Sequence, residues 1–370
     1  MNGTEARKKK NMKELFPPRD ISAYDAISEA QRLAFAPLVF QAVRSLRDLG
    51  VLEALEAAGK EGTTLPALEA SLELGSYGVR TLVESGVSCG VVDALEDGHF
   101  ALSKVGYFIL HDPMTRINMD YTHDVCYQAA FDLKESIATE KPVGLRVFGE
   151  EWETVYQALT HLPEQVRKSW YRFDHYYSDA AYPEALEYVL EGGPASLVDI
   201  GANVGKFSLL AVRRSPELRV TMVDLPEQLE EACANVAEAG FEDRVDGVGM
   251  DVLQPDSALP PGRDRYWMSQ LLSCFGRQEV VGFLARVAEA MTEDSVACIL
   301  ETCWDRQRHP ASAYSLVNTS LYFTCVASGN SRMYSAEELE ACFAEAGLEP
   351  VRTTDDIGIC HTLFECRKAR

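Results

Sequence analysis

The stretch 197-LVDIGANVGKF-207 decides the fold. Leu197, Val198 and Ile200 flank Asp199 as residues of a buried strand do, and from Lys206 an apolar pattern of helical spacing resumes. Between them the chain turns through Gly201-Ala-Asn-Val-Gly205. Leaving a strand for a helix in so few residues needs backbone conformations that side chains disfavour and glycine adopts freely. Glycine also clears Cβ atoms from a backbone that a ligand is to touch. The spacing is D-x-G-x-x-x-G over Asp199, Gly201 and Gly205. It is not the G-x-G-x-x-G of a dinucleotide site. Nor is it a P-loop, because Lys206 is followed by Phe207 where serine or threonine would stand. Taken alone, the pattern is equally satisfied by a tight strand-to-helix turn.

The flanking sequence adds context. From about Pro194, strand-like and helix-like segments alternate: SLVDIG, KFSLLAVRRS, LRVTMVDLP, EQLEEACANVAEAG, RVDGVGMDVL, RDRYWMSQLL, EVVGFLARVAEAM, SVACILETCW, SAEELEACFAEAGL and the closing IGICHTLFECRK. This alternation predicts a doubly wound, largely parallel α/β sheet. Ligands of such sheets sit at the carboxyl ends of the strands. The second strand ends in Asp224, where a carboxylate can grip both hydroxyls of a ribose. The third ends at Asp251, which can accept from an exocyclic adenine amine. A glycine turn followed by a ribose acid and an adenine acid describes an adenosine site without phosphates.

Acidic residues outnumber basic ones 57 to 35, for a net charge of −22, so general nucleic-acid binding is not expected. At 370 residues and 46% hydrophobic, the chain is long enough for two domains. No apolar run reaches the roughly 18 residues of a membrane span, which predicts a cytoplasmic protein. Ten cysteines without CxxC spacing read as free thiols, and no metal site is expected.

Residues 1 to 24 are polar and predict a flexible arm or one swapped onto a partner subunit. From Pro37, Leu38, Val39, Ala42, Val43, Leu46 and Leu49 trace an amphipathic helix that Gly50 stops. A threonine cap at Thr63 or Thr64, a short helix, a turn at Gly75, a second helix and two strands about Asp97-Gly98 follow, which is the winged-helix order. Glu84, Asp93, Glu96 and Asp97 argue against a DNA role for it and favour dimerisation or a lid. Further on, 171-YRFDHYYSD-179 is polar for a core and apolar for a surface, as a pocket wall would be.

The winged-helix order followed by LVDIGANVGKF, VTMVDLPEQ, DRV (243 to 245) and GMDVL resembles the S-adenosylmethionine-dependent O-methyltransferases of the plant caffeate type and their bacterial relatives. WMSQLLSCF, ETCWDRQ, SLYFT and SGNSRMY are most similar to a bacterial branch found in aryl-polyene-like gene clusters. The resemblance covers roughly residues 30 to 368. It implies a class I methyltransferase, Rossmann-like doubly wound sheet with an N-terminal, mostly helical winged-helix dimerisation domain. The boundaries would be 25 to 185 for the dimerisation and substrate-lid domain and 186 to 370 for the methyltransferase domain. S-adenosylmethionine would be the cofactor, a small molecule the methyl acceptor, and a homodimer the assembly. Carried over, Asp199, Gly201, Asn203 and Gly205 would form the turn and hold the methionine, Asp224 and Leu225 the ribose, Met250 and Asp251 the adenine. Gln270, in WMSQLLSCF, would line the sulfonium.

The sequence departs from the family where a histidine-aspartate-tryptophan triplet is expected. Ser273, Cys274 and Phe275 stand there, and neither a hydroxyl nor a thiol is an effective base near neutral pH. Glu301 matches the family's orienting glutamate with nothing to orient. Three accounts are open. His175, then His123, or less directly His361, supplies the base. Alternatively, the acceptor is an acidic oxygen, a thioether or an amine that needs none, and transfer rests on alignment. Or the fold binds the cofactor without turnover. Tyr171, Phe173, Tyr176 and Tyr177, beside Trp170, would shape the substrate pocket with Trp304, Arg306, Tyr322, Phe323, Asn330 and Arg332, and an arginine among them would favour an acidic acceptor. O-methylation of a hydroxyl or acidic oxygen on an aromatic or carboxylate-bearing metabolite is the leading expectation.

Overall fold

A computed structural model describes residues 9–149 and 152–370. The chain divides into two compact units, Pro18–His123 and the N-terminal segment through Pro17 together with Asp124–Arg370.

The first unit opens with a helix over Ala23–Asp48, capped by Ser22, whose side chain accepts from the Asp25 N–H. The helix begins well before Pro37, which lies inside it. The reading from sequence started the helix too late because the apolar residues upstream face outward rather than into a core. Of the expected stripe, Val43 and Leu46 are buried whereas Leu38 is 68% exposed. Helices over Leu65–Ser71 and Ser76–Ser88 follow, and strands β1 (Thr63–Thr64), β2 (Val92–Ala94) and β3 (His99–Leu102) form a sheet in the order β1-β3-β2. Thr64 occupies the cap position without a side-chain capping bond. Leu46, Leu52, Leu55, Leu68, Val79, Val83 and Val92 make the core. This is the helix, turn, helix, hairpin order expected.

The second unit is built on seven strands: β4 (Ser196–Ile200), β5 (Arg219–Asp224), β6 (Val245–Gly249), β7 (Arg265–Ser269), β8 (Val296–Glu301), β9 (Leu348–Ile357) and β10 (His361–Lys368), ordered β6-β5-β4-β7-β8-β10-β9. The five strands β4 to β8 run parallel and β10 pairs antiparallel with β8 and β9. Apolar clusters cover both faces. Parallel strands buried on both faces read as continuous apolar runs, which is why VACILE and SLVDI stand out in the sequence. Strand β9 was not foreseen. Its sequence, LEPVRTTDDI, is polar and contains Pro350, as an edge strand tolerates.

Two further features position the site. A 26-residue helix over Glu164–Val189 buries Ala181, Ala185, Leu186 and Val189 in the core beside the sheet and carries the YRFDHYYSD stretch on its upstream turns. Residues 9 to 17 of the expected arm are seated on this same unit: the Lys10 N–H donates to the Asp305 carbonyl at 2.9 Å, and Leu15 packs with Trp304 and Ala313. Residues 1 to 8 lie outside the described residues.

Candidate active site

Strand order brings the ends of β5, β4, β7 and β8 side by side, and with them Asp224, Gly201, Gln270 and Glu301. The turn after β4 is left-handed at alternate positions, with φ of 75° at Gly201, 52° at Asn203 and 77° at Gly205. Asparagine tolerates this region better than most residues, and glycine adopts it without strain. A Cβ on Gly201 would lie 3.0 Å from Leu271 Cδ1, and one on Gly205 would lie 3.3 Å from Met222 Sδ. The space cleared by both glycines is therefore taken by the protein's own side chains. Dihedral and packing demands, more than ligand approach, require glycine there.

The loop is tied to its neighbours through Asn203. Its main-chain N–H donates to Asp224 Oδ2 at 2.7 Å, and the Leu225 N–H donates to Oδ1 at 2.7 Å. Burial pushes the Asp224 carboxyl up to about 6. The side-chain Nδ2 of Asn203 donates to Asp174 Oδ2 at 3.3 Å, and Gln270 Nε2 donates to Asp174 Oδ1 at 3.1 Å. Gln270 has a φ of 53°, a strained conformation for a non-glycine residue. Its Oε1 lies 2.7 Å from Nε2 of the fully buried His361. Burial raises Asp174 to about 6 and lowers His361 to about 4. Asp199 is buried and accepts from Ser208 Oγ at 2.6 Å, so it pins the following helix to β4, and burial lifts its carboxyl to about 7.

After β7, the turn Leu272–Cys274 is held from below. Glu301 Oε1 accepts from the Leu272 N–H at 2.7 Å, and the Leu271 and Ser273 N–H groups and the Ser273 side chain also engage this carboxylate. Glu301 therefore has a partner set after all: it orients the turn instead of a histidine. Ser273 is buried and committed to it. Beside it, the Cys274 thiol is driven far above its usual range by burial and hydrogen-bonds the Tyr156 hydroxyl.

A profile of the O-methyltransferase domain matches residues 131–349, more than half of the chain, and a Dimerisation2-like domain matches 28–100. The chain belongs to the O-methyltransferase family. It is a methyltransferase that uses S-adenosylmethionine as methyl donor. It is 26% identical to the mitomycin biosynthesis 6-O-methyltransferase of Streptomyces lavendulae, over 85% of this chain and 86% of that one. It is 23% identical to the L-tyrosine C(3)-methyltransferase of the same organism, over 86% of each. The solved structure of mitomycin 7-O-methyltransferase, 24% identical, superposes with a TM-score of 0.68 over 94% of this chain and 98% of that one, confirming the fold.

The remaining expected site residues of this methyltransferase divide into two groups. Tyr171, Phe173, Tyr176 and Tyr177 lie on the long helix, with Phe173 and Tyr177 ring centroids 5.2 Å apart and the Tyr171 hydroxyl 3.4 Å from Gln228 Oε1. Trp170 Nε1 donates to the Tyr322 hydroxyl at 2.7 Å, and Tyr322 packs edge-on against Phe323 at 5.2 Å. His175 stacks obliquely on Tyr171 at 5.5 Å; its Nε2 is buried without a partner, and burial lowers the ring to about 4. Met250 sits beside Asp224, its N–H donating to the Asp224 carbonyl at 2.9 Å. Asp251 accepts from the Leu253 N–H and from Gln254 Nε2, so its orientation is set by its own turn.

The second group is placed otherwise than expected. Trp304 packs in a separate cluster with Leu15, Ala313, Leu316 and Val317. Arg306 is buried and bonded to Asp355 Oδ2 at 3.2 Å, and Arg332 is half-exposed and faces Glu338. Both guanidiniums thus answer carboxylates of the fold, and the preference for an acidic acceptor loses its basis. His123 belongs to the first unit, where its Nδ1 lies 3.1 Å from Gln41 Nε2. Sequence reasoning missed Asp174 and Tyr156. Asp174 was visible as one of two aspartates in YRFDHYYSD; nothing in the local sequence marks Tyr156.

Proposed function

We propose that this methyltransferase transfers the methyl group to a hydroxyl oxygen of a small aromatic metabolite, with Asp224 holding the ribose, Met250 and Asp251 flanking the adenine, and the turn from Gly201 to Gly205 beside the methionine. Two observations support the fit. The Asp224 carboxylate is held rigid by two N–H donors while keeping lone pairs for a diol, and Asn203 Oδ1 is buried without a partner beside it. S-adenosylmethionine supplies an electrophilic methyl on a sulfonium when bound. The chain's part is to align an acceptor with it and exclude water.

The observation that carries the acceptor class is the aromatic cluster of Tyr171, Trp170, Tyr322, Phe323 and Tyr156 around a turn whose own groups are poor bases. Ser273 is committed to Glu301, the Cys274 thiol is far from ionising, and His175, at about 4, is a weak base. An acceptor that ionises readily, as a conjugated phenol does, fits a site built for alignment. The two relatives named above are an O-methyltransferase and a C(3)-methyltransferase of L-tyrosine, itself a phenol. Incubating the protein with labelled S-adenosylmethionine and a panel of hydroxylated aromatics, then reading the methyl position by NMR, tests the reading. A methyl ether is expected; transfer only to carbon, or to no aromatic, overturns it.

The Dimerisation2-like segment and the outward apolar stripe of the helix Ala23–Asp48 support a homodimer formed through the first unit. The boundaries proposed for the functional domains remain near residues 25 to 185 and 186 to 370.

A further inference from the structure

We propose that Asp174 is the fixed counter-charge for the α-ammonium of the cofactor's methionine moiety. The inference rests on the reading that S-adenosylmethionine lies across the ends of β5, β4 and β7. Asp174 Oδ2 is held by Asn203, in the turn after β4, and Oδ1 by Gln270, directly after β7. The carboxylate therefore bridges the two strand ends past which the amino-acid tail must run once the ribose is on Asp224. Each oxygen has accepted one amide N–H and has lone-pair capacity left.

Among the described residues, no hydrogen bond or ion pair joins a cation of the protein to Asp174. Lys206 favours its ionised form without bonding it, and the Lys206 ammonium is bonded to Asp179 at 2.8 Å. A half-buried carboxylate in a poorly solvated position is costly without a counter-ion, which a ligand can supply. Burial accordingly holds the group at about 6. The support behind it is oriented. Because Gln270 uses Nε2 to reach Asp174, its Oε1 must accept from His361, which therefore carries its proton on Nε2. His361 thus fixes which end of the Gln270 amide faces the carboxylate.

The cofactor offers two cations, and their chemistry separates them. The sulfonium loses its charge during transfer, so a carboxylate paired with it would stabilise the ground state over the transition state and slow the reaction. The ammonium keeps its charge throughout. Pairing with it anchors the tail at no expense in rate, and an ammonium has N–H donors for the free lone pairs, which a sulfonium lacks.

Calorimetry on the full chain tests this with three probes: S-adenosylmethionine, S-adenosylhomocysteine, which keeps the ammonium but not the sulfonium, and 5′-methylthioadenosine, which has neither. Asp174→Asn removes the charge at nearly constant volume, and its unliganded thermal midpoint reports the fold. The variant is expected to weaken the first two probes equally, by about 10- to 100-fold, the range for a lost charged hydrogen bond. It should leave methylthioadenosine within about twofold on the same scale. Unchanged binding of all three overturns the assignment, as does a loss for S-adenosylmethionine alone, which would indicate the sulfonium, or an equal loss for methylthioadenosine, which would indicate a structural role. Failure of the unmodified protein to bind any probe would instead remove the cofactor placement, and the inference with it.

Discussion

Asn203 donates its main-chain N–H to Asp224 Oδ2 at 2.7 Å, so the glycine turn of one strand fixes the carboxylate that ends the next. Strand-end ligand sites depend on such ties. Neither residue could hold its place alone, because Asn203 sits in a left-handed conformation and Asp224 is a charge in a poorly solvated position.

Asp224→Ala is expected to weaken S-adenosylmethionine binding by about tenfold or more, since it deletes a charged acceptor of two hydroxyl bonds. The sign with pH follows from the raised carboxyl. Above about 6 it is ionised in the free protein, and binding is strongest; as pH falls through 6 toward 5, affinity drops. Calorimetry at several pH values should show this fall, reduced in Asp224→Asn.

Gly201→Ala places a side chain in a left-handed position, at about 1–2 kcal/mol, and presses its Cβ toward Leu271. Gly240 has a similar φ of 74° with nothing within 4 Å of a Cβ, so Gly240→Ala isolates the backbone strain. Both variants should melt a few degrees lower. Only Gly201→Ala should also lose the thermal stabilisation that S-adenosylhomocysteine confers.

Glu301 is an acid whose folded carboxyl is raised to about 7 by burial. Such a group favours the native state while protonated. Its contribution is complete below its unfolded value near 4.5 and disappears as pH rises through 7. Glu301→Gln keeps an acceptor for the Leu272 N–H and cannot ionise. Its thermal midpoint relative to the parent protein should therefore improve steadily between pH 5 and pH 8, as differential scanning calorimetry would record.

On the helix Ala23–Asp48, Tyr24, Ile27, Phe35 and Leu38 fall on one stripe and are between 55% and 79% exposed. A contiguous apolar stripe of this kind signals a partner surface. If the proposed homodimer forms through this stripe, replacing Leu38 by Asp should shift the protein from dimer to monomer in light scattering coupled to size exclusion, with the helical circular dichroism preserved.

The sheet was legible because parallel strands buried on both faces must be apolar throughout, and LVDIG, TMVD and CILE could be little else. Strand β9 was illegible because an edge strand can be polar and can hold a proline. The residues proposed for the cofactor are conspicuous in the sequence because they stand at strand ends, as Asp224 does, or in a turn that needs left-handed backbone, as Gly201 and Asn203 do. Arg306 and Arg332 were misplaced because sequence shows a charge but not the carboxylate that answers it. Asp174 escaped notice for the converse reason: its value lies in contacts with Asn203 and Gln270, 29 and 96 residues away. Glu301 shows a third case, in which a familiar position keeps its residue and serves the turn directly.

A crystal structure of the full chain with S-adenosylhomocysteine bears most directly on the central claim. The account predicts both ribose hydroxyls on the Asp224 carboxylate, the adenine between Met250 and Asp251, and the amino-acid tail beside Gly201. A nucleoside bound elsewhere in the protein, or lying across these strand ends with its ribose turned away from Asp224, would contradict it.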